Sequence, residues 1–132
     1  RSLCNLNQAK RQACYIHEKS VLLQSASIGF DGAVWEWTSA LMGGSQLVLV
    51  DSEALLPGAP LIKTLLDYKV TVLCMCPTAL AQLPFFHSDS LKSILSCGEA
   101  CPSSLVAKWA GHYTFMNAYG PSECCVCSTI YT

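Results

Sequence analysis

Short apolar runs rich in β-branched residues alternate with helix-like runs along the whole chain, and this alternation restricts the possible folds more than any other feature. The pattern predicts strands over residues 21–25, 46–50, 71–75, 93–97, 113–118 and 126–131. Helices are predicted over 31–41, 59–66, 78–83 and 102–109, bounded by Asp31, Gly43-Gly44, Pro77 and Pro102. A chain so organised is expected to be α/β, layered, with a largely parallel sheet flanked by helices. In such sheets ligands lie in the crevice beyond the carboxyl ends of the strands. Three segments should reach that edge: Cys76-Pro77-Thr78, Gly98-Glu99-Ala100 and Gly120-Pro121-Ser122-Glu123. Each alone reads as a turn; three together point to a site.

At 132 residues and 52% apolar, the chain has enough hydrophobic material to bury a core. Eight Lys and Arg against nine Asp and Glu give a net charge of -1, and the basic residues are scattered, which argues against nucleic acid as a partner. Apolar stretches such as Val70 to Cys76 fall far short of the roughly 20 residues of a membrane helix, so no membrane partner is expected. The nine cysteines are odd in number and many have apolar neighbours, as in Leu73-Cys74-Met75-Cys76, which suits buried thiols in a reducing, cytoplasmic setting. The chain starts without Met and closes on a strand-like Ile130-Tyr131-Thr132, so it is expected to be an internal piece of a larger domain.

On the helix over 31–41, Val34, Trp37 and Leu41 form the stripe expected to pack on the sheet. Asp31 and Trp35 lie one turn apart on a neighbouring face. They are either a helix cap and an extra core residue, or the anionic end and apolar wall of a recess that could hold an ammonium group. His17, His87 and His112 lack partner spacing for a metal or a triad and read as surface residues, and Thr78 after Pro77 reads as a helix start.

The heptapeptide Phe30-Asp31-Gly32-Ala33-Val34-Trp35-Glu36 resembles the FDxSVWE segment of adenylation domains from nonribosomal peptide synthetases. Asn117-Ala118-Tyr119-Gly120-Pro121-Ser122-Glu123 is similar to their NxYGPTE segment, and Cys97-Gly98-Glu99-Ala100 looks like their GGEAL element. Order and separation fit as well. Arg1-Ser2-Leu3 looks like the residues just after the family's phosphate-binding loop. The resemblance makes residues 1–132 an internal piece of the large N-terminal subdomain of an adenylate-forming (AMP-binding) enzyme. The phosphate-binding loop, the TGD segment and the C-terminal subdomain with its catalytic Lys lie outside the sequence.

The resemblance implies activation of an amino acid by ATP as aminoacyl-AMP, release of pyrophosphate, and loading onto the phosphopantetheine thiol of a peptidyl carrier domain, with condensation domains in the same assembly line. Such chemistry depends on positioning and charge neutralisation. By the same resemblance, Tyr119 lies against adenine, Gly98, Glu99 and Ala100 line the base, and Asn117 and Gly120 flank it. Ser122, where the family usually has Thr, donates to an α-phosphate oxygen, and Glu123 is a ligand of Mg2+. Without the family, Ser122 and Glu123 read as a capped helix start.

The substrate-lining positions carried over are Asp31, Gly32, Trp35, Cys74, Leu95, Cys97, Ala118, Val126 and Cys127. Asp31 implies an α-amino acid, held by its ammonium as a buried, charge-assisted pair. The rest of the lining, without fixed charge, implies a large apolar or aromatic side chain such as that of phenylalanine. Three other readings remain, one of them a noncatalytic scaffold whose site has decayed. An acyl-CoA synthetase-like ligase would share the nucleotide chemistry but gain nothing from Asp31. A cysteine-rich metal-binding module is suggested by Cys74-Met75-Cys76 and Cys124-Cys125-Val126-Cys127, although no pair has the two-residue gap of a zinc knuckle.

Overall fold

The computed structural model describes all residues from Arg1 to Thr132. Six strands form one sheet: β1 Val21–Leu23, β2 Gln46–Val48, β3 Val72–Met75, β4 Ser93–Cys97, β5 Thr114–Tyr119 and β6 Thr129–Tyr131. Their order is β2-β1-β3-β4-β5-β6; the first five run parallel and β6 is antiparallel to β5. Five helices cover it: α1 Ser2–Ala13, α2 Asp31–Leu41, α3 Ala59–Asp67, α4 Pro77–Gln82 and α5 Ser103–Trp109. Short 3₁₀ turns occupy Ser52–Leu55 and Ser122–Cys124. No helix is long and apolar enough to cross a membrane.

The strands alternate strictly in the face they present. On β3, Val72 and Cys74 point into one core and Leu73 into the other; on β4, Leu95 and Ile94 divide the same way, as do Met116 and Phe115 on β5. This is the period-2 geometry of a strand buried on both sides. One core, built with α3, α4 and α5, includes Leu61, Leu65, Leu80, Leu105 and Trp109. The other, built with α1 and α2, includes Cys14, Trp35 and Ala40.

Several sequence expectations need correction. The helix α1 was not predicted, because its buried residues are Leu6, Asn7 and Lys10, so helical periodicity carries no apolar stripe there. On α2 the buried residues are Ala33, Trp35, Glu36, Thr38, Ser39 and Ala40, whereas Leu41 is 63% exposed and Val34 and Trp37 are half-buried. The expected stripe of Val34, Trp37 and Leu41 is therefore not the packing face. The helix is wedged between the sheet and α1, and polar residues whose bonds are satisfied within that wedge occupy the inner surface. The last strand starts at Thr129 rather than 126, since Cys125 and Val126 take positive φ values of 61° and 72° that interrupt extended backbone. All nine cysteines are free, but only Cys14 and Cys74 are buried; Cys4 and Cys124 are exposed and the others half-buried. The expectation of buried thiols holds for those two alone.

Candidate functional site

The carboxyl ends of β3, β4 and β5, the start of α2 and the loop 120–128 enclose a cavity of about 420 Å³. The parallel strands deliver their terminal residues to this edge together, which places Cys74 and Cys97 on the floor with Ala118 beside them on the wall. All nine positions expected to line a substrate face this one cavity: Asp31, Gly32, Trp35, Cys74, Leu95, Cys97, Ala118, Val126 and Cys127. Gly98, Glu99, Tyr119 and Gly120 line it too. Ala100, Asn117, Ser122 and Glu123 do not, and their side chains are exposed.

Asp31, expected to be buried, is half-buried at the first turn of α2, and its Oδ2 accepts a 2.6 Å hydrogen bond from Ser122 Oγ. This bond joins the two residue sets. Trp35, one turn on, is 2% exposed. Behind it lies Lys10, fully buried, with its ammonium 5.2 Å from the indole centroid and donating to Trp35 O at 3.2 Å and Thr38 Oγ1 at 3.0 Å. The close contacts between basic and acidic side chains are Lys63 with Asp67 and His87 with Asp89, so Lys10 has no carboxylate partner. Burial lowers its pKa to about 8.

Glu36 also reaches the cavity, contrary to the expectation of a lining with no fixed charge beyond Asp31. Its carboxylate accepts from Gln24 Nε2 at 2.7 Å and from the amides of Ser25 and Ala26 at 3.1 Å, which fixes the loop after β1 to α2. Ser25 Oγ lies 2.6 Å from Glu36 Oε1 and 2.8 Å from the Cys74 carbonyl, tying the same loop to β3. Burial outweighs these donors and raises the Glu36 pKa to about 7.

Cys74 Sγ and Cys97 Sγ are 3.4 Å apart, on adjacent strands and the same sheet face. The thiol bond between them, together with burial, raises Cys74 well above its usual range, and the same bond lowers Cys97 against the opposing effect of burial. Cys14, deeper in that core, is pushed up to about 12 by burial. At the rim, Glu99 accepts from the amide of Thr78 at 2.9 Å and from its hydroxyl, which holds the Glu99 carboxyl below its usual value. Thr78 thus starts α4, as expected, and also orients Glu99.

The far wall is strained. Val126 carries a φ that β-branched residues rarely adopt, and it does so between Cys125 in the left-handed region and Cys127 on the cavity. Opposite it, a Cβ on Gly120 would lie 2.5 Å from Cys127 Cα and from Val126 O. Only a residue without a side chain fits there.

Against known proteins, the profile of the family described as AMP-binding enzyme matches residues 1–132. The chain belongs to the AMP-binding enzyme family. Within it the sequence is 39% identical over 129 residues to bacitracin synthase 3 of Bacillus licheniformis and 40% identical over 129 residues to a linear gramicidin synthase of Brevibacillus parabrevis. Each match covers 98% of this chain and 2% of the relative, so the chain spans a small part of the synthetases it resembles. A solved four-domain nonribosomal peptide synthetase bound to AMP and glycine superposes with a TM-score of 0.89 at 25% identity, over 98% of this chain and 10% of that one. Both motif segments of this AMP-binding chain, 30–36 and 117–123, contribute residues to the same cavity.

Three residues central to this geometry escaped the sequence reading: Lys10, Glu36 and Ser25. Glu36 ends the recognised heptapeptide, and a carboxylate in an otherwise apolar helical run was the available signal. Lys10 gave none, because it lies in a polar stretch that looks solvated.

Proposed function

We propose that this chain forms the amino-acid-facing and adenine-facing part of an adenylation domain, which activates an amino acid with ATP as aminoacyl-AMP and releases pyrophosphate. The observation that carries this reading is the convergence of the nine lining positions on one cavity with a carboxylate at its mouth. In the complete protein the product passes to a carrier-domain phosphopantetheine thiol, with condensation domains as neighbours. Residues 1–132 are then an internal piece of the large subdomain, working with a phosphate-binding loop and a catalytic Lys supplied by the rest of the protein.

Asp31 receives the substrate ammonium. Half-burial makes that bond stronger than a surface pair and weaker than one in a dry interior. Trp35, Leu95, Ala118 and Val126 offer apolar walls, and the thiols of Cys74, Cys97 and Cys127 add soft, polarizable surface. This favours a large apolar or aromatic side chain such as that of phenylalanine.

Tyr119, at the rim and 69% exposed, has a ring face free for a purine to stack on. The residues suit nucleotide and metal in a limited way. Glu123 is exposed and makes no hydrogen bond or ion pair, and no three His, Cys, Asp or Glu side chains are grouped to hold a metal. That donor set matches a hard cation taking one carboxylate and completing its shell with phosphate oxygens and water. Glu123 would hold Mg2+ there, and the bound cation would supply charge neutralisation for pyrophosphate. Ser122 would leave Asp31 to donate to an α-phosphate oxygen, so filling the amino-acid site frees the hydroxyl that the nucleotide needs.

No three His, Cys, Asp or Glu side chains come together as a metal cage, so the adenylation reading is the one the geometry favours over a cysteine-rich metal module. ATP–pyrophosphate exchange by the complete protein, with a panel of amino acids against fatty acids, tests the reading. Exchange with apolar or aromatic amino acids is expected; exchange with fatty acids alone would assign the protein to the acyl-CoA synthetase-like ligases.

A further inference from the structure

The floor of the cavity holds two thiols whose spacing suits a particular chemistry. Cys74 and Cys97 approach to 3.4 Å between sulfurs. A disulfide needs sulfurs at about 2.05 Å and α-carbons within about 7 Å. In the β3–β4 register Cys74 pairs with Leu95, so Cys97 stands two residues further along the neighbouring strand. Two residues along (about 6.6 Å) and one strand across (about 4.8 Å) separate the α-carbons by about 8 Å. The side chains lean together far enough to hydrogen-bond, while the backbone resists full closure.

A single atom placed between the sulfurs needs no closure. Bonds of about 2.3 Å meeting at about 95°, the angle of a pyramidal three-coordinate centre, leave sulfurs about 3.4 Å apart; a tetrahedral angle requires about 3.8 Å and a linear one about 4.6 Å. The third position of such a centre need not come from the protein, and no third ligand is grouped with the pair to build a zinc cage. Above the sulfurs lies the cavity, with Trp35 and Ala118 on its walls, where an apolar substituent would lose water.

We propose that Cys74 and Cys97 form a chelating dithiol for a pyramidal thiophilic centre, typified by a monoorgano trivalent arsenical, whose organic group enters the cavity. With phenylarsine oxide, two As–S bonds form and the bonds from arsenic to oxygen break. Both thiol protons leave with that oxygen as one water, and arsenic stays trivalent, so no oxidant is consumed. The lowered pKa of Cys97 supports its role as the first attacking thiolate.

Phenylarsine oxide titrated into the chain, followed by intact mass and free-thiol counting, tests the proposal. One adduct should form with loss of two thiols, resisting excess monothiol and reversing with dithiothreitol. Cys74→Ser and Cys97→Ser should each weaken capture at least tenfold, and the double variant should lose little more, because chelation needs both sulfurs. Cys124→Ser, at an exposed thiol beside Cys125, should leave capture unchanged. Undiminished capture by Cys74→Ser, loss of capture in Cys124→Ser, or a Cys74–Cys97 disulfide after mild oxidation would each overturn it. Should the serine variants unfold, anomalous scattering from arsenic in crystals of the unmutated adduct decides: a peak between the two sulfurs supports the site and a peak elsewhere refutes it.

That capture also blocks amino-acid activation rests on the function proposed above. In the complete protein, arsenical should abolish amino-acid-dependent exchange, and the preferred amino acid should protect. A chelate at this pair with exchange intact would leave the dithiol standing and remove the amino acid from the cavity.

Discussion

The two faces of the sheet are built from different materials. Against α3, α4 and α5 the core is almost wholly apolar, with Leu61, Leu65, Leu73, Ile94 and Trp109 fully buried. Against α1 and α2 the same strands bury Trp35, Cys74 and Leu95 among Lys10, Glu36, Thr38 and Ser39. One face is organised by burial, which is non-directional. The other is organised by hydrogen bonds whose donors and acceptors must match, and it carries the cavity. On the function proposed above, stability rests chiefly on the first face and substrate selectivity on the second.

The largest effect should come from the apolar face. Leu73→Ala removes a fully buried side chain at a cost of about 2 to 5 kcal/mol in unfolding free energy, read by denaturant melts. In the complete protein, preference among amino acids should not change. A changed preference would break the division between the faces.

Glu36 comes next. Burial holds its carboxyl at about 7 against an ordinary 4.5, so its ionisation opposes folding. The contribution is fully present below pH 4.5 and is lost as pH rises to about 7, an effect on the order of 3 kcal/mol. Glu36→Gln should flatten that part of the stability–pH curve, even though its single oxygen satisfies fewer of the loop donors. Melts across pH 4 to 8 measure it, and an unchanged slope would place the titration elsewhere.

For the site itself, Asp31→Ala in the complete protein should raise KM for the preferred amino acid by roughly 10- to 100-fold, in line with about 1.5 to 3 kcal/mol for a charge-assisted bond. Deaminated analogues should be hurt much less. Equal loss for both would make Asp31 a partner of Ser122 and nothing more.

The smallest effect is expected at Lys10. Lys10→Met trades a desolvated ammonium for an apolar chain and loses two hydrogen bonds, so net stability near neutral pH should move by about 1 kcal/mol or less. The sign of its pH dependence is opposite to that of Glu36. A base lowered to about 8 gains stability as pH rises from about 8 toward 10.5, and the Met variant should lose that rise. Altered indole fluorescence would show that Lys10 also seats Trp35.

Legibility in the sequence follows the same division. The apolar face announces itself through Leu61-Ile62 and Leu65 on α3 and through every second residue of β3 and β4, and the order of strands and helices could be read from it. The cavity residues were reached through two heptapeptides and a shorter element, because residues distant in sequence meet only once parallel strands align their ends. Lys10, Glu36 and the bond from Ser122 to Asp31 stayed hidden, since a polar residue shows no periodic signature and its burial depends on partners from other elements. The reversal at Val126 was hidden for a related reason: valine reads as strand, whereas here it sits with positive φ in a turn closed by the bond from Cys127 N to Cys125 O, packed against Gly120.

Contact between Gly120 and the segment 126–128 sets a rule for redesigning this chain. Val126 and Cys127 can be exchanged to reshape the cavity wall, but their backbone rests against a position that tolerates no atom beyond Cα. A library randomised over both regions should therefore return diversity at 126 and 127 and a single letter at 120, two opposite outcomes of selection on segments in direct contact.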